Sequence, residues 1–325
     1  MNQRIIDSII KKTGNPDLMD LLVNQLTIGE LQSLLLKAFE LKSRKKNCGD
    51  ILKEFKSTRF VKPSDIDPIL HRNLELEIFN LLPPEFEIID LSPLTPLGTA
   101  SVLASVPQNN VVSALRNLEV AADTTNILAL VCAVRRAKLT ARDPKSAGTI
   151  KLCSSQRVTR AQSFAGEYFS AHFSLLALCT AGRDEGNEKF ETESLDEHIS
   201  FYLRLIDSLI DKSKTKCLNI KLFEYSGFDN SGLIRHISDN FLQQEHIHLK
   251  TEKDSQFGRN YYQRLRFMIS VVNSNNQEFD YIDGGFTNWT SRLLNNKKER
   301  LLTSGIGTDY MVRTKMIKDR FGTKK

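Results

Sequence analysis

Several features that would narrow the function at once are missing. No stretch of the chain approaches the roughly 18 consecutive apolar residues of a membrane-spanning helix, so a membrane role is not expected. The first residues carry apolar pairs, Ile5 and Ile6 then Ile9 and Ile10, at helical spacing, but not the continuous apolar core of a secretory leader. Cysteine is sparse: Cys48, Cys132, Cys153, Cys179 and Cys217 stand singly, without a C-x-x-C pair or a histidine at ligand spacing. That pattern argues against a zinc site and a disulfide scaffold, and leads to the expectation of a reduced, cytoplasmic protein with no metal centre. Internal repeats and low-complexity segments are also absent. Asn288-Trp289-Thr290 has the form of a glycosylation sequon, which carries no weight without a secretory signal.

What is present is an ordinary globular composition. The 325 residues are 40% hydrophobic, enough to bury a sizeable core. Lys plus Arg exceed Asp plus Glu by six (45 against 39), a surplus compatible with nucleic acid, a phosphate-rich ligand or solubility alone. The basic residues cluster only at Lys42 to Lys46 and from Arg313 to the end.

Residues 1–60 read as helices, with Leu18, Leu21, Leu22 and Leu26, then Leu31, Leu34, Leu35 and Phe39, at three-to-four spacing. Thr27 followed by Glu30 is a capping box, and the run Lys42 to Lys46 falls where cations complement a helix dipole. Prolines 63, 68, 83 and 84 punctuate a linker with one helix over residues 61–85. From 86 onward strand-like and helical segments alternate. Strands are expected over 86–91, 111–120, 150–159, 172–179, 217–225, 261–272 and 301–304, with helices at 126–138, 195–210, 233–242, around 289–294 and from 308. Hairpins of strands with fewer helices indicate an antiparallel α+β domain over residues 86–325.

Four segments, in order, carry chemistry. Asp123-Thr124-Thr125 closes a strand-like stretch and opens a helix; its carboxylate can cap the helix or accept from an ammonium. Arg157-Val158-Thr159-Arg160-Ala161-Gln162 sets two arginines three apart at a strand end, as an anion grip or a surface ion pair. Asn260-Tyr261-Tyr262-Gln263 leads into a long alternating strand. Asp283-Gly284-Gly285-Phe286 reads as a turn, and about twenty residues later comes Gly305-Ile306-Gly307-Thr308-Asp309-Tyr310, where glycines permit close backbone approach ahead of a helix. His246 and His248 alternate along an apolar stretch without a third ligand and read as surface residues.

Together these segments resemble the catalytic domain of the class II aminoacyl-tRNA synthetases, in particular the histidyl type. The resemblance implies that the fold is a class II antiparallel sheet flanked by helices, and that Asp123 and Thr125 receive the amino group of an amino acid. It implies that Arg157 is the catalytic arginine gripping the α-phosphate of ATP, accompanied by Mg2+, with Arg160 beside it and Gln162 on the substrate. Tyr261, Tyr262, Gly284 and Gly285 would line the amino-acid pocket, while Gly305, Gly307 and Tyr310 would meet the nucleotide. Three positions depart from the family pattern. Thr159 stands for a glutamate, Phe257 for a substrate-binding arginine, and Tyr310 for the arginine of the third motif, with Arg313 three residues on as a substitute. Asp123, Arg157, Tyr262 and Arg313 are therefore expected to converge.

The replaced positions turn the expectation toward a regulatory, non-aminoacylating paralogue that binds a small amino-acid-like ligand or an adenine nucleotide, as the regulatory subunit of ATP phosphoribosyltransferase exemplifies. The alternative is a stand-alone ligase making an aminoacyl-adenylate for an unusual acceptor. A homodimer and a protein partner are expected from the resemblance; tRNA is not, because the segment matched contains no anticodon-binding module.

Overall fold

The computed structural model describes residues 3–162, 166, 168–243, 245–256 and 258–318. Helices come first: α1 (Gln3–Thr13), α2 (Leu18–Asp20) running into a π turn (Leu21–Gln25), α3 (Ile28–Ser43) and α4 (Cys48–Ser57). Local sequence signals start them. Thr27 Oγ1 accepts from the Glu30 amide while the Glu30 carboxylate accepts from the Thr27 amide, and Asn47 and Asp50 repeat the box on α4. No residue of α1 to α4 is buried. Two members of the basic run are held in ion pairs, Arg44 with Glu40 and Lys46 with Glu54.

Helix α5 (Pro68–Asn80) is the first to bury a face. Asp67 caps it, Pro68 takes a first-turn position that needs no N–H donor, and His71, Leu74, Glu75 and Ile78 point inward at helical spacing. Beyond it stand β1 (Glu87–Ile88), β5 (Ile150–Thr159), β6 (His172–Arg183), β7 (Thr215–Glu224), β8 (Ile247–Glu252), β9 (Gln263–Asn273), β10 (Glu278–Thr287) and β11 (Glu299–Gly307). They form one sheet in the order β1-β5-β6-β11-β10-β9-β7-β8, antiparallel except for the two outermost pairs. A second, three-stranded sheet joins β2 (Leu94–Pro96), β4 (Leu118–Val120) and β3 (Ser113–Ala114).

Two expectations are corrected here. The segment 111–120 is not a strand of the main sheet: Arg116 and Asn117 take positive φ, turning the chain back on itself, and the two short strands belong to the small sheet. Gly284-Gly285 is not a turn either but the middle of β10, paired on both sides. Glycine is needed at both positions by close packing. A Cβ on Gly284 would lie 2.6 Å from Phe267 and Ser304, and one on Gly285 would lie 2.8 Å from Tyr262 and 2.9 Å from the Leu265 carbonyl.

The sheet separates two cores. On its front lie α6 (Thr124–Arg142) and α9 (Trp289–Leu293), whose Leu128, Cys132 and Trp289 pack on Leu152, Ala177, Cys179 and Leu301. On its rear lie α5, α7 (Lys189–Leu209), α8 (Ser231–Phe241) and α10 (Thr308–Arg313), packed on Cys153, Leu176, Leu178, Leu302 and Ile306. Strand alternation sends neighbours to opposite sides. Helix α6 is anchored at its far end by Arg136, whose fork holds Glu299 at 2.8 and 2.9 Å with both side chains fully buried, and which also donates to the carbonyls of Gly148 and Ser146.

Candidate functional site: a recess on the front face

Register places Ser154, Ala177, Gly305, Asp283, Met268 and Lys221 in one row across β5, β6, β11, β10, β9 and β7. Directly paired residues share a face, so the three small ones lower the floor immediately beside Asp283. Glycine at 305 is tight-fitting: a Cβ there would come within 3.2 Å of the Leu176 carbonyl. Helix α6 begins over this floor, its Thr124 hydroxyl donating to the Leu175 carbonyl at 2.9 Å.

Asp123 caps that helix. Its carboxylate accepts from the Thr125 amide (3.0 Å) and hydroxyl (2.8 Å), from Arg160 (3.1 Å) and from the Tyr261 hydroxyl (3.2 Å). A carboxylate has about four acceptor sites, so Asp123 is close to saturated by its own chain. Arg160 also donates to the Ala122 carbonyl and lies 5.1 Å over the Phe173 ring. Tyr261 packs edge-on against Tyr262 and Trp289, and burial raises both tyrosine hydroxyls well above their usual range, keeping them protonated donors.

Asp283 is the exposed acid of the recess. Arg266 holds it by two bonds, 2.7 and 3.0 Å, yet 44% of the aspartate side chain stays accessible whereas Arg266 is nearly buried. Its carboxyl is nevertheless pushed above the ordinary carboxylate range. Loss of hydration is the chief cause, Arg266 opposes it, and the charge of Asp123 adds to the rise. The Asp283 side chain is partly accessible to solvent and packed among Arg266 and its neighbours. The recess thus holds two carboxylates, Asp123 and Asp283, and two guanidiniums, Arg160 and Arg266.

Arg157 is elsewhere. Its neighbour Val158 packs on the front against Ala121, Ile127 and Leu175, so Arg157 projects from the rear. There it pairs with Asp309 at 3.2 Å. Asp309 is buried and also meets His71 at 3.2 Å; His71 in turn contacts Thr308 (2.9 Å) and Glu75 (3.5 Å). Burial alone would raise the Asp309 carboxyl, but the His71 hydrogen bond and the charges of Arg157 and His71 outweigh it and hold the group below its usual range. Tyr310 lies at the rear rim, stacked on Phe169 with centroids 5.8 Å apart and edge-on to Tyr168 and Tyr281. Arg313 pairs with Asp65, in the segment before α5.

The structure therefore brings together Asp123, Thr125, Arg160, Tyr261, Tyr262, Gly285 and Gly305. It does not bring Arg157, Tyr310 or Arg313 to them, so the expected convergence of Asp123, Arg157, Tyr262 and Arg313 is not found. Gly284 faces the rear, Gly307 caps α10, and Gln162 lies just past β5, where its carbonyl accepts from Arg59. Phe257 lies outside the described residues. Sequence reading passed over Arg266 and gave Asp283 no role of its own; an arginine inside the apolar run of β9 and an aspartate beside Gly-Gly were the available signals. Among the described residues no cluster of three or more His, Cys, Asp or Glu could hold a metal ion, and no helix is long and apolar enough to cross a membrane.

No protein family and no curated protein matches the sequence. Solved structures do. An ATP phosphoribosyltransferase regulatory subunit/histidyl-tRNA synthetase from Bacillus halodurans superposes with a TM-score of 0.51 at 13% identity, over 78% of this chain and 82% of that one. The apo histidyl-tRNA synthetase of S. aureus gives the same score and identity, over 78% of this chain and 68% of its own. The fold is that of the histidyl-type class II synthetases, an α+β sheet flanked by helices.

Proposed function

We propose that this chain is a non-aminoacylating protein on the histidyl-type fold, which binds a small zwitterion of the amino-acid kind in the front recess and acts through a protein partner. The observation that carries the reading is the separation of Arg157 from the recess by the thickness of the sheet. Adenylate formation needs an amino acid and the α-phosphate of ATP held against each other. A carboxylate on one face and its phosphate-gripping arginine on the other cannot do that, so ATP with Mg2+ is not part of this reading.

Balanced charge in the recess supports a zwitterion over a nucleotide. Asp283 retains solvent-facing acceptor capacity for an ammonium, Asp123 adds negative potential, and Arg160, about a third exposed, offers its remaining N–H groups to a carboxylate. A regulatory role is favoured by one structural neighbour, itself named a regulatory subunit. Homodimerisation belongs to the same reading and predicts sedimentation as a dimer at micromolar concentration. Calorimetric titration with the twenty amino acids tests the ligand: binding of at least one, weakened roughly ten- to a hundredfold by Asp283→Asn and unchanged by Arg157→Ala, is expected. Absence of binding by all twenty removes the reading.

A further inference from the structure

Strand β8 closes the sheet on the side away from β1, and among the described residues no strand pairs with its outer edge. The Leu218 amide donates to the His246 carbonyl at 2.8 Å, and the parallel register runs from Leu218 with Ile247 to Phe223 with Glu252. In such a ladder every second residue turns both backbone groups to the neighbour, so His248, Lys250 and Glu252 bond to β7. Ile247, Leu249 and Thr251 therefore aim their N–H and C=O groups outward. Their side chains point to the rear, the face that they share with their register partners Leu218, Ile220 and Leu222.

On that face β8, α8 and the loop 225–230 line a cavity of about 770 Å³. Leu249 and Ile234 give it an apolar wall, and Phe228 adds a half-exposed ring. Four carboxylates, Glu224, Asp229, Asp239 and Asp254, line it against two cations, Arg235 and Lys253. Glu224 is the group left unanswered: its Oε1 is buried and has no hydrogen-bond partner. A carboxylate oxygen so placed carries a desolvation cost that an incoming donor relieves. The strand edge offers bonds to a backbone, and the cavity beside it offers an acceptor to a cationic side chain.

We infer that β8 docks an extended basic segment of a partner protein, which adds to the eight-stranded sheet as one more strand and turns a lysine or arginine side chain into the rear cavity toward Glu224. Two strand spacings, roughly 10 Å, separate the added strand from β7, a gap that the cationic side chain and the Glu224 side chain bridge between them. Main-chain bonds give such a strand its affinity, and the cavity selects its side chains. A second copy of β8 paired antiparallel supplies no such cation, since it turns its own Ile247, Leu249 and Thr251 to the rear. The docking edge goes beyond the recess reading and stands whether or not the recess binds an amino acid.

The test is fluorescence anisotropy of the full chain with two short labelled peptides, one alternating valine and lysine, the other valine and glutamate. The lysine peptide should bind, and the glutamate peptide should bind at least roughly tenfold more weakly. Glu224→Gln should weaken the lysine peptide by roughly tenfold. Thr251→Pro removes an N–H that the native sheet does not use, on an exposed residue of an edge strand. That variant should melt close to the parent and lose roughly tenfold or more in peptide affinity, whereas attraction to surface charge alone predicts no loss. If Thr251→Pro does not fold, Glu224→Gln decides, and unchanged affinity there overturns the inference. Asp283→Asn should bind the lysine peptide as the parent does, which separates this edge from the recess. The inference is also overturned if the lysine peptide does not bind at millimolar concentration, if both peptides bind alike, or if folded Thr251→Pro binds as the parent does. Loss in Thr251→Pro of a dimer that the parent forms in sedimentation would give the edge to a second copy and overturn it too.

Discussion

Asp283 and Asp309 stand on opposite faces of one sheet, each beside an arginine, and their carboxyls are displaced in opposite directions. On the rear, Asp309 is buried but fully answered by His71 and Arg157, so its ionised form is favoured in the fold. On the front, Asp283 has Arg266 and still ionises less readily than a free carboxyl. One face has satisfied its charge and the other keeps one at a cost. A strained charge in a cleft is the usual mark of a binding site, whereas a satisfied one is part of the scaffold. Arg157, the arginine that most resembles a catalytic residue, stands on the rear face, paired with Asp309.

The largest effect expected from this contrast is on the scaffold under the recess. Arg136→Ala leaves Glu299 charged, buried and unpaired, and should cost about 3–5 kcal/mol of unfolding free energy in urea titration. A loss below about 1 kcal/mol would mean that α6 is not held by this pair and that the recess has another support.

Next come the two aspartates themselves, by pH. A lowered folded pKa contributes stability that is complete above the unfolded value and is lost as pH falls through the folded one, so Asp309→Asn should lose its disadvantage to the parent below about pH 4. The raised Asp283 carboxyl has the reverse sign. Below the unfolded value it costs nothing; as pH rises through the folded value the penalty develops, so Asp283→Asn should gain on the parent from about pH 4 upward. Thermal melts of both variants across that range check the pair, and parallel curves would erase the distinction between the faces. An amine ligand needs the ionised Asp283, so its affinity should fall as the pH drops through the same range, read by titration at a series of pH values.

The smallest effect lies outside the sheet. Thr27→Ala removes a capping box and should cost about 1 kcal/mol in the helix it starts, seen as faster amide exchange across α3. The cooperative unfolding of the sheet should not move, because α3 buries no residue.

Much of the fold was legible because its signals are local or periodic. The capping box at Thr27, the cap at Asp123, the alternating strand after Tyr262 and the α+β order all appear where the sequence put them. The misread segments depend on partners. Gly284-Gly285 has turn composition, and only Phe267, Ser304 and Tyr262 crowding from neighbouring strands explain why glycine sits mid-strand. The parallel edge pair of β7 and β8 has no local signature at all.

For the site, residue type was readable and face was not. The motif around Arg157 is legible through its resemblance to a family pattern, but a shift of one residue in register exchanges front for rear along the whole strand. Here Val158, not Arg157, packs against Ala121 on the recess side. Arg160 escapes this constraint because it follows the last residue of β5, where the chain is free to turn its side chain to Asp123.

Amino-acid-dependent exchange of pyrophosphate into ATP tests most directly the claim that the recess and Arg157 cannot act on one substrate pair. With each of the twenty amino acids present in turn, including any found to bind by calorimetry, the expected result is no exchange above background in the parent chain. Exchange supported by one amino acid and abolished by Arg157→Ala would contradict the account, since it would require Arg157 to reach the face from which the sheet separates it.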